Sequence, residues 1–179
     1  MIDLVDGTAA RRRTCCTIAS GEGLTIGSEM SGGVRNVTFE EITLEGTYIG
    51  IRMKSQRGRG GVVSGISYRN ISMRNIATDC VRLNLNYHPN INRTNASATP
   101  VFKDILLENI ECTVNGGSRS AGGSSYLIEG LPKSQIRNLT LRNVQVARNL
   151  KEVTCVDVEC TCDEATEPCP SCCVRTHRT

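Results

Sequence analysis

The chain has 179 residues, enough for one domain with a real core, yet only 3% are aromatic and none is Trp, so the core must be aliphatic. A formal charge of +3 with 22% charged residues is too mild for a dense nucleic-acid patch, and no nucleic-acid partner is expected. No apolar run approaches the ~18 residues of a membrane span, so no membrane partner is expected either.

Residues 1–14 are weakly patterned and are read as a poorly ordered N-terminal segment. Met1–Arg13 has no apolar h-region and is not a signal peptide. Arg11-Arg12-Arg13 reads as a solvated charge run, with a targeting or binding role as the other reading.

From residue 15 to 150 the chain repeats. Segments starting at Val34, Val63, Phe102 and Ile136 carry apolar residues at the same offsets. Val37, Ile66, Ile105 and Leu139 correspond, as do Phe39, Tyr68, Leu107 and Leu141, and then Ile42, Ile71, Ile110 and Val144. The first set steps by 29, 39 and 34 residues. Within each unit the alternation has period two, which predicts strands, and Glu41, Asn70, Asn109 and Asn143 mark the expected bend. A second short strand is predicted in each coil, at Leu24–Ile26, Tyr48–Lys54, Val81–Asn86 and Tyr126–Glu129. Recurrent units with loops of variable length predict an all-β solenoid, a parallel β-helix, in preference to leucine-rich repeats.

On the second strand, Ile49, Ile51 and Met53 share one face, and Gly50, Arg52 and Lys54 the other. With the aliphatic face inside, Arg52 and Lys54 point to solvent about 7 Å apart. A guanidinium and an ammonium at that spacing suit a carboxylate-bearing ligand, although two ordinary surface cations satisfy the spacing equally. The same parity puts Arg82, Asn84 and Asn86 outside. Tyr87 joins them only if its strand stops at Asn86.

Five N-x-S/T sequons occur. Asn36, Asn70 and Asn138 sit in the repeat, where Asn is a turn residue, and Asn92 and Asn95 in the Asn90–Pro100 loop are the better glycan candidates. Ten cysteines fit an oxidising compartment or metal sites, and six of them crowd residues 151–179, read as a Cys-rich cap or tail outside the coils. No paired Cys-x-x-Cys array forms, so no metal is expected. Cys112 holds a ladder position and reads as a buried apolar residue.

Ser20–Val37 (SGEGLTIGSEMSGGVRNV), followed by GTYIGIRMK, GRGG and NLNYHP, resembles the family 28 glycoside hydrolases, the polygalacturonases of pectin breakdown, in particular their plant-type branch. Glu129–Val144 is similar to the family's late coils, and the run from Val153 to its C-terminal closure. The resemblance implies a right-handed parallel β-helix that hydrolyses galacturonan linkages with inversion, without a cofactor, at the cell wall or outside the cell. It implies that Arg52 and Lys54 bind the galacturonate carboxylate, that Tyr87 contacts substrate, and that Cys155 pairs with Cys169. The family's Gly-His-Gly motif falls on Gly21-Glu22-Gly23, which puts Glu22 where a histidine is expected.

Its catalytic aspartate motifs have no match in Met1–Ser20; Asp3 and Asp6 lie in the wrong context, and Glu22, Glu29 and Asp79 do not fall on the catalytic positions. The expectation is therefore a chain truncated at its N-terminus, retaining much of the substrate cleft, with an exposed first coil that promotes self-association. The alternative is an inactive β-helix that at most binds acidic polysaccharide.

Overall fold

A computed structural model describes residues 16–87, 98–114, 124–146 and 154–177. All the regular elements among them are strands: β1 (Cys16–Ile18), β2 (Leu24–Gly27), β3 (Val34–Glu45), β4 (Ile51–Lys54), β5 (Val62–Ile76), β6 (Val81–Asn84), β7 (Val101–Val114), β8 (Tyr126–Glu129), β9 (Ile136–Val146), β10 (Thr154–Val156), β11 (Val158–Cys162) and β12 (Cys173–Arg175). They form two parallel sheets, a seven-stranded one in the order β1-β3-β5-β7-β9-β11-β12 and a five-stranded one in the order β10-β8-β6-β4-β2. The chain alternates between the sheets, so each circuit adds one strand to each. The architecture is a parallel β-helix.

The register follows the apolar ladders. Val37 pairs with Ile66, Ile66 with Ile105 and Ile105 with Leu139, and the other two ladders stack likewise. Each long strand bends where a non-glycine residue takes a left-handed conformation, at Glu41, Asn70, Asn109 and Asn143, with φ between 49° and 56°. Asn tolerates that region because its short side chain bonds locally. Here the amide also reaches the next coil: Asn109 Nδ2 donates to Asn70 Oδ1 and Asn143 Nδ2 to Asn109 Oδ1, both at 3.0 Å.

Ile, Leu and Val fill most of the interior, joined by the buried rings of Tyr68, Phe102 and Tyr126. Burial is uneven along the solenoid. Val63, Ile66, Tyr68 and Ile71 are fully buried, whereas their partners one coil earlier, Val34, Val37, Phe39 and Ile42, are half-buried. The difference is positional, since among the described residues the strand on the far side of β3 is the short β1.

Two expectations about the cysteines need correcting. The C-terminal segment is not wholly outside the coils. Thr154–Val156 pairs with β8 and Val158–Cys162 with β9, both parallel, so its first part continues both sheets. Nor does Cys155 pair with Cys169. Cys155 bonds Cys172, Cys160 bonds Cys173, and Cys162 bonds Cys169. The cause is β12, which lies parallel on β11 with Cys173 directly opposite Cys160, placing their Cα atoms 4.3 Å apart. Cys112 is buried as expected, but in a disulfide with Cys80.

Candidate functional site

The five-stranded sheet presents its outer face between β2 and β8. Ile51 and Met53 are fully buried in the interior, which turns Arg52 and Lys54 outward. On the next coil Val81 and Leu83 do the same for Arg82 and Asn84, and the register sets Arg52 beside Arg82 and Lys54 beside Asn84. Gly50 does not open space on this outer face. A Cβ there would lie 2.3 Å from the Met73 sulfur and 2.6 Å from the Cys80 carbonyl oxygen, so the missing side chain is a requirement of interior packing.

Arg52 and Lys54 face outward but are not bathed in solvent. The Arg52 side chain is 6% exposed and that of Lys54 14%. Two groups cover them. The Tyr87 ring lies 5.2 Å from Arg52 Cζ and 5.0 Å from Lys54 Nζ, within cation–π range of both. β6 ends at Asn84, which frees Tyr87 from the inward parity and lets its ring turn to the outer face.

The second cover is Glu22, on the turn between β1 and β2. One carboxylate oxygen accepts from Arg52 Nη1, and the other accepts from Lys54 Nζ at 2.8 Å. Burial opposes ionisation of Glu22, but the hydrogen bond from Lys54 and the charges of Arg52 and Lys54 outweigh it and hold the carboxyl below its ordinary range. The turn is fixed by its neighbours. Gly23 has φ +65°, and a Cβ on it would come within 2.1 Å of the Gly50 carbonyl oxygen. Thr25 Oγ1 donates to the Glu22 carbonyl at 2.9 Å, and Leu24 N donates to Gly50 O at 2.9 Å.

Around this cluster lie further polar groups. Asp79 is buried, accepts from Ser124 N at 2.8 Å and Ser124 Oγ at 2.7 Å, and pairs with Arg82. Asn84 is buried, and its amide oxygen has no hydrogen-bond partner among the described residues, as is true of Arg52 Nε. A polar surface of this kind suits a ligand that brings both carboxylate and hydroxyl groups.

The structure thus gathers four residues singled out in the sequence, Glu22, Arg52, Lys54 and Tyr87. Sequence reasoning missed that Glu22 touches both cations. The signal was available, because Glu22 precedes Arg52 by 30 residues, close to the first repeat step of 29. Asn92, Asn95, Asp3 and Asp6 lie outside the described residues. The Sγ atoms of Cys160, Cys172 and Cys173 lie within 4.8 Å of one another, but all three sulfurs are in disulfides, and a metal ligand is a thiolate.

Residues 2–169 match the family described as Glycosyl hydrolases family 28. The chain is 31% identical over 159 residues to a probable polygalacturonase of Vitis vinifera, covering 83% of this chain and 30% of that protein. It is 35% identical over 97 residues to an endo-polygalacturonase of Pectobacterium carotovorum, covering 54% of this chain and 23% of that one. Among solved structures, the family 28 exopolygalacturonase of Yersinia enterocolitica superposes with a TM-score of 0.66 at 22% identity, over 91% of this chain and 27% of the other. The chain therefore spans about a quarter to a third of the length of these relatives.

Proposed function

The chain belongs to the glycosyl hydrolases of family 28, and from that premise we propose that its outer groove binds galacturonic-acid-rich pectin, in a protein that hydrolyses the α-1,4 linkages of that polymer with inversion. One observation carries the reading: Arg52 and Lys54 converge under the Tyr87 ring and already hold a carboxylate, that of Glu22. Two covered cations grip a carboxylate more firmly than exposed ones, because less water competes for it. An aromatic ring beside them offers a face to the C–H side of a sugar.

Inverting hydrolysis requires a carboxylic acid to protonate the leaving oxygen and a carboxylate to activate water, about 6.5–9.5 Å apart. Glu22 is held ionised by its two cations, and the Asp79 side chain is buried and taken up by contacts to Ser124 and Arg82. Neither is placed to serve as the acid, so the groove described here supplies binding and the acid–base pair is assigned to neither residue. That favours, as a second reading for these coils taken alone, a surface that binds acidic polysaccharide without turnover.

The four disulfides among the described residues support an extracellular or cell-wall location. The half-buried Val37, Phe39 and Ile42 support self-association through the first coil.

The test compares binding of polygalacturonate and release of reducing ends by the wild type and by the Arg52→Ala/Lys54→Ala double variant. Removing both cations changes the cluster from one net positive charge to one net negative, and binding should weaken, because the unpaired Glu22 carboxylate then repels an acidic ligand. Unchanged binding in a folded double variant would refute the groove. Turnover by the wild-type chain would refute the binding-only reading.

A further inference from the structure

Glu22 does more than occupy a position beside the cation pair. Its two oxygens engage one cation each, which is the arrangement a bound uronate carboxylate would adopt. Its side chain is 39% exposed, whereas those of Arg52 and Lys54 are 6% and 14% exposed. The cations are therefore the fixed half of the pair and Glu22 the half with room to leave. The backbone cannot leave with it, because Gly23 packs against Gly50 and Thr25 holds the Glu22 carbonyl. Departure is a rotation of one side chain into water.

We propose that Glu22 is an internal counter-ion seated in the anion site of Arg52 and Lys54, so that an acidic sugar binds only as the Glu22 carboxylate swings out. This rests on the reading of the groove as a galacturonate site, and it adds a cost to that binding. Each acidic ligand exchanges one carboxylate for another, so the net gain from the cations is small. A neutral sugar or a methyl ester leaves Glu22 in place and meets a cluster whose cations are already satisfied. Glu22 thus narrows the preference for acid over ester. The seat does not empty on mild acidification, since the same cations keep Glu22 ionised below its ordinary range.

The experiment measures dissociation constants by calorimetry for trigalacturonate, for its methyl ester and for inorganic sulfate, on the wild type, Glu22→Gln and Glu22→Ala. Both variants should bind trigalacturonate about tenfold more tightly than the wild type, the worth of one charge-assisted contact no longer displaced. The ester should bind all three proteins alike. In the wild type, the Glu22 side-chain carboxylate resonance should move as trigalacturonate is added, a readout that needs no variant. Where the wild type binds trigalacturonate, equal or weaker binding in the folded variants, or a resonance that stays fixed while ligand binds, overturns the proposal. If the variants gain sulfate but no protein binds trigalacturonate, Glu22 is upheld as the counter-ion and the galacturonate reading fails. If the variants gain neither ligand, the counter-ion proposal is overturned.

Discussion

Replacing Arg52 with alanine should cost little binding in the wild type and much more once Glu22 is neutral. Arg52 is 5% exposed, one of its nitrogens holds Glu22, and the Tyr87 ring lies 5.2 Å from its Cζ. When trigalacturonate displaces Glu22, Arg52 loses one carboxylate partner and gains another. Its deletion removes both contacts, and the difference should be under about 1 kcal/mol, or roughly fivefold in dissociation constant. In the Glu22→Gln background no carboxylate is surrendered. Deleting Arg52 there should cost the full charge-assisted contact, roughly 2–3 kcal/mol or about 30- to 150-fold. The interaction term of the double-mutant cycle is then about 1–2 kcal/mol. Calorimetry on the four proteins measures it, with thermal melts confirming that each is folded. Additive costs, with Arg52→Ala equally damaging in both backgrounds, would refute an exchange of carboxylates at this site. No cost in either background would remove Arg52 from the ligand altogether.

Other consequences lie in the core and in the pH response. Tyr68 is fully buried with no partner for its hydroxyl among the described residues, and burial pushes that phenol's pKa far up, so Tyr68→Phe should stabilise the chain by about 1 kcal/mol and raise the melting midpoint by about 2–4 °C. Its ring should keep the stacked contact with Phe39 at 4.9 Å. The Cys80–Cys112 disulfide spans 32 residues, and Cys80→Ala with Cys112→Ala should cost about 3–4 kcal/mol in denaturant unfolding. Because the Glu22 carboxyl in the folded chain titrates below its ordinary value of 4.5, its contribution to stability is complete above that value and is lost as pH falls through the folded-state pKa. Glu22→Gln should flatten this acid limb of the melting-temperature profile, and an unchanged limb would show that Glu22 is not ionically held.

The groove was legible in part. The inward parity of Ile49, Ile51 and Met53 fixes the side on which Arg52 and Lys54 emerge, and that much follows from alternation alone. Their cover does not. Whether Tyr87 points in or out depends on where β6 stops, and a strand end is set by hydrogen-bond partners on the adjoining coils. The disulfide pattern was hidden for a similar reason. Six cysteines allow 15 pairings, and the choice here is made by the return of Cys173–Arg175 alongside β11, a contact between two short strands with no repeat to announce it.

The repeat steps carry more than fold class, because in a solenoid the distance along the chain to a neighbour on the next coil equals the local coil length. The steps of 29, 39 and 34 residues between corresponding apolar positions should therefore also be the spacings of side chains that touch outside the core. The Asn109–Asn70 and Asn143–Asn109 bonds span 39 and 34 residues. Arg59–Glu29 and Asn75–Glu45 span 30, and so does Arg52–Glu22. Applied to position 22, the first step lands on Ile51, one residue from Arg52 and three from Lys54. A carboxylate one coil below two cations is thus a contact the sequence implies before any coordinates are known. Loops absorb most differences in coil length, as the unequal steps show, but the turn at Gly46–Tyr48 is tied on both sides, Gly46 N donating to Arg74 O and Tyr48 N to Gly21 O, so lengthening that turn should move Glu22 out of the seat. Inserting one residue in the Arg57–Gly61 turn, beyond β4, leaves the 30-residue step intact, whereas an insertion between Gly46 and Tyr48 shifts it and should abolish the ion pair. Only the second insertion should shift the Glu22 carboxylate resonance, and a shift from both would mean that the contact is not set by coil length.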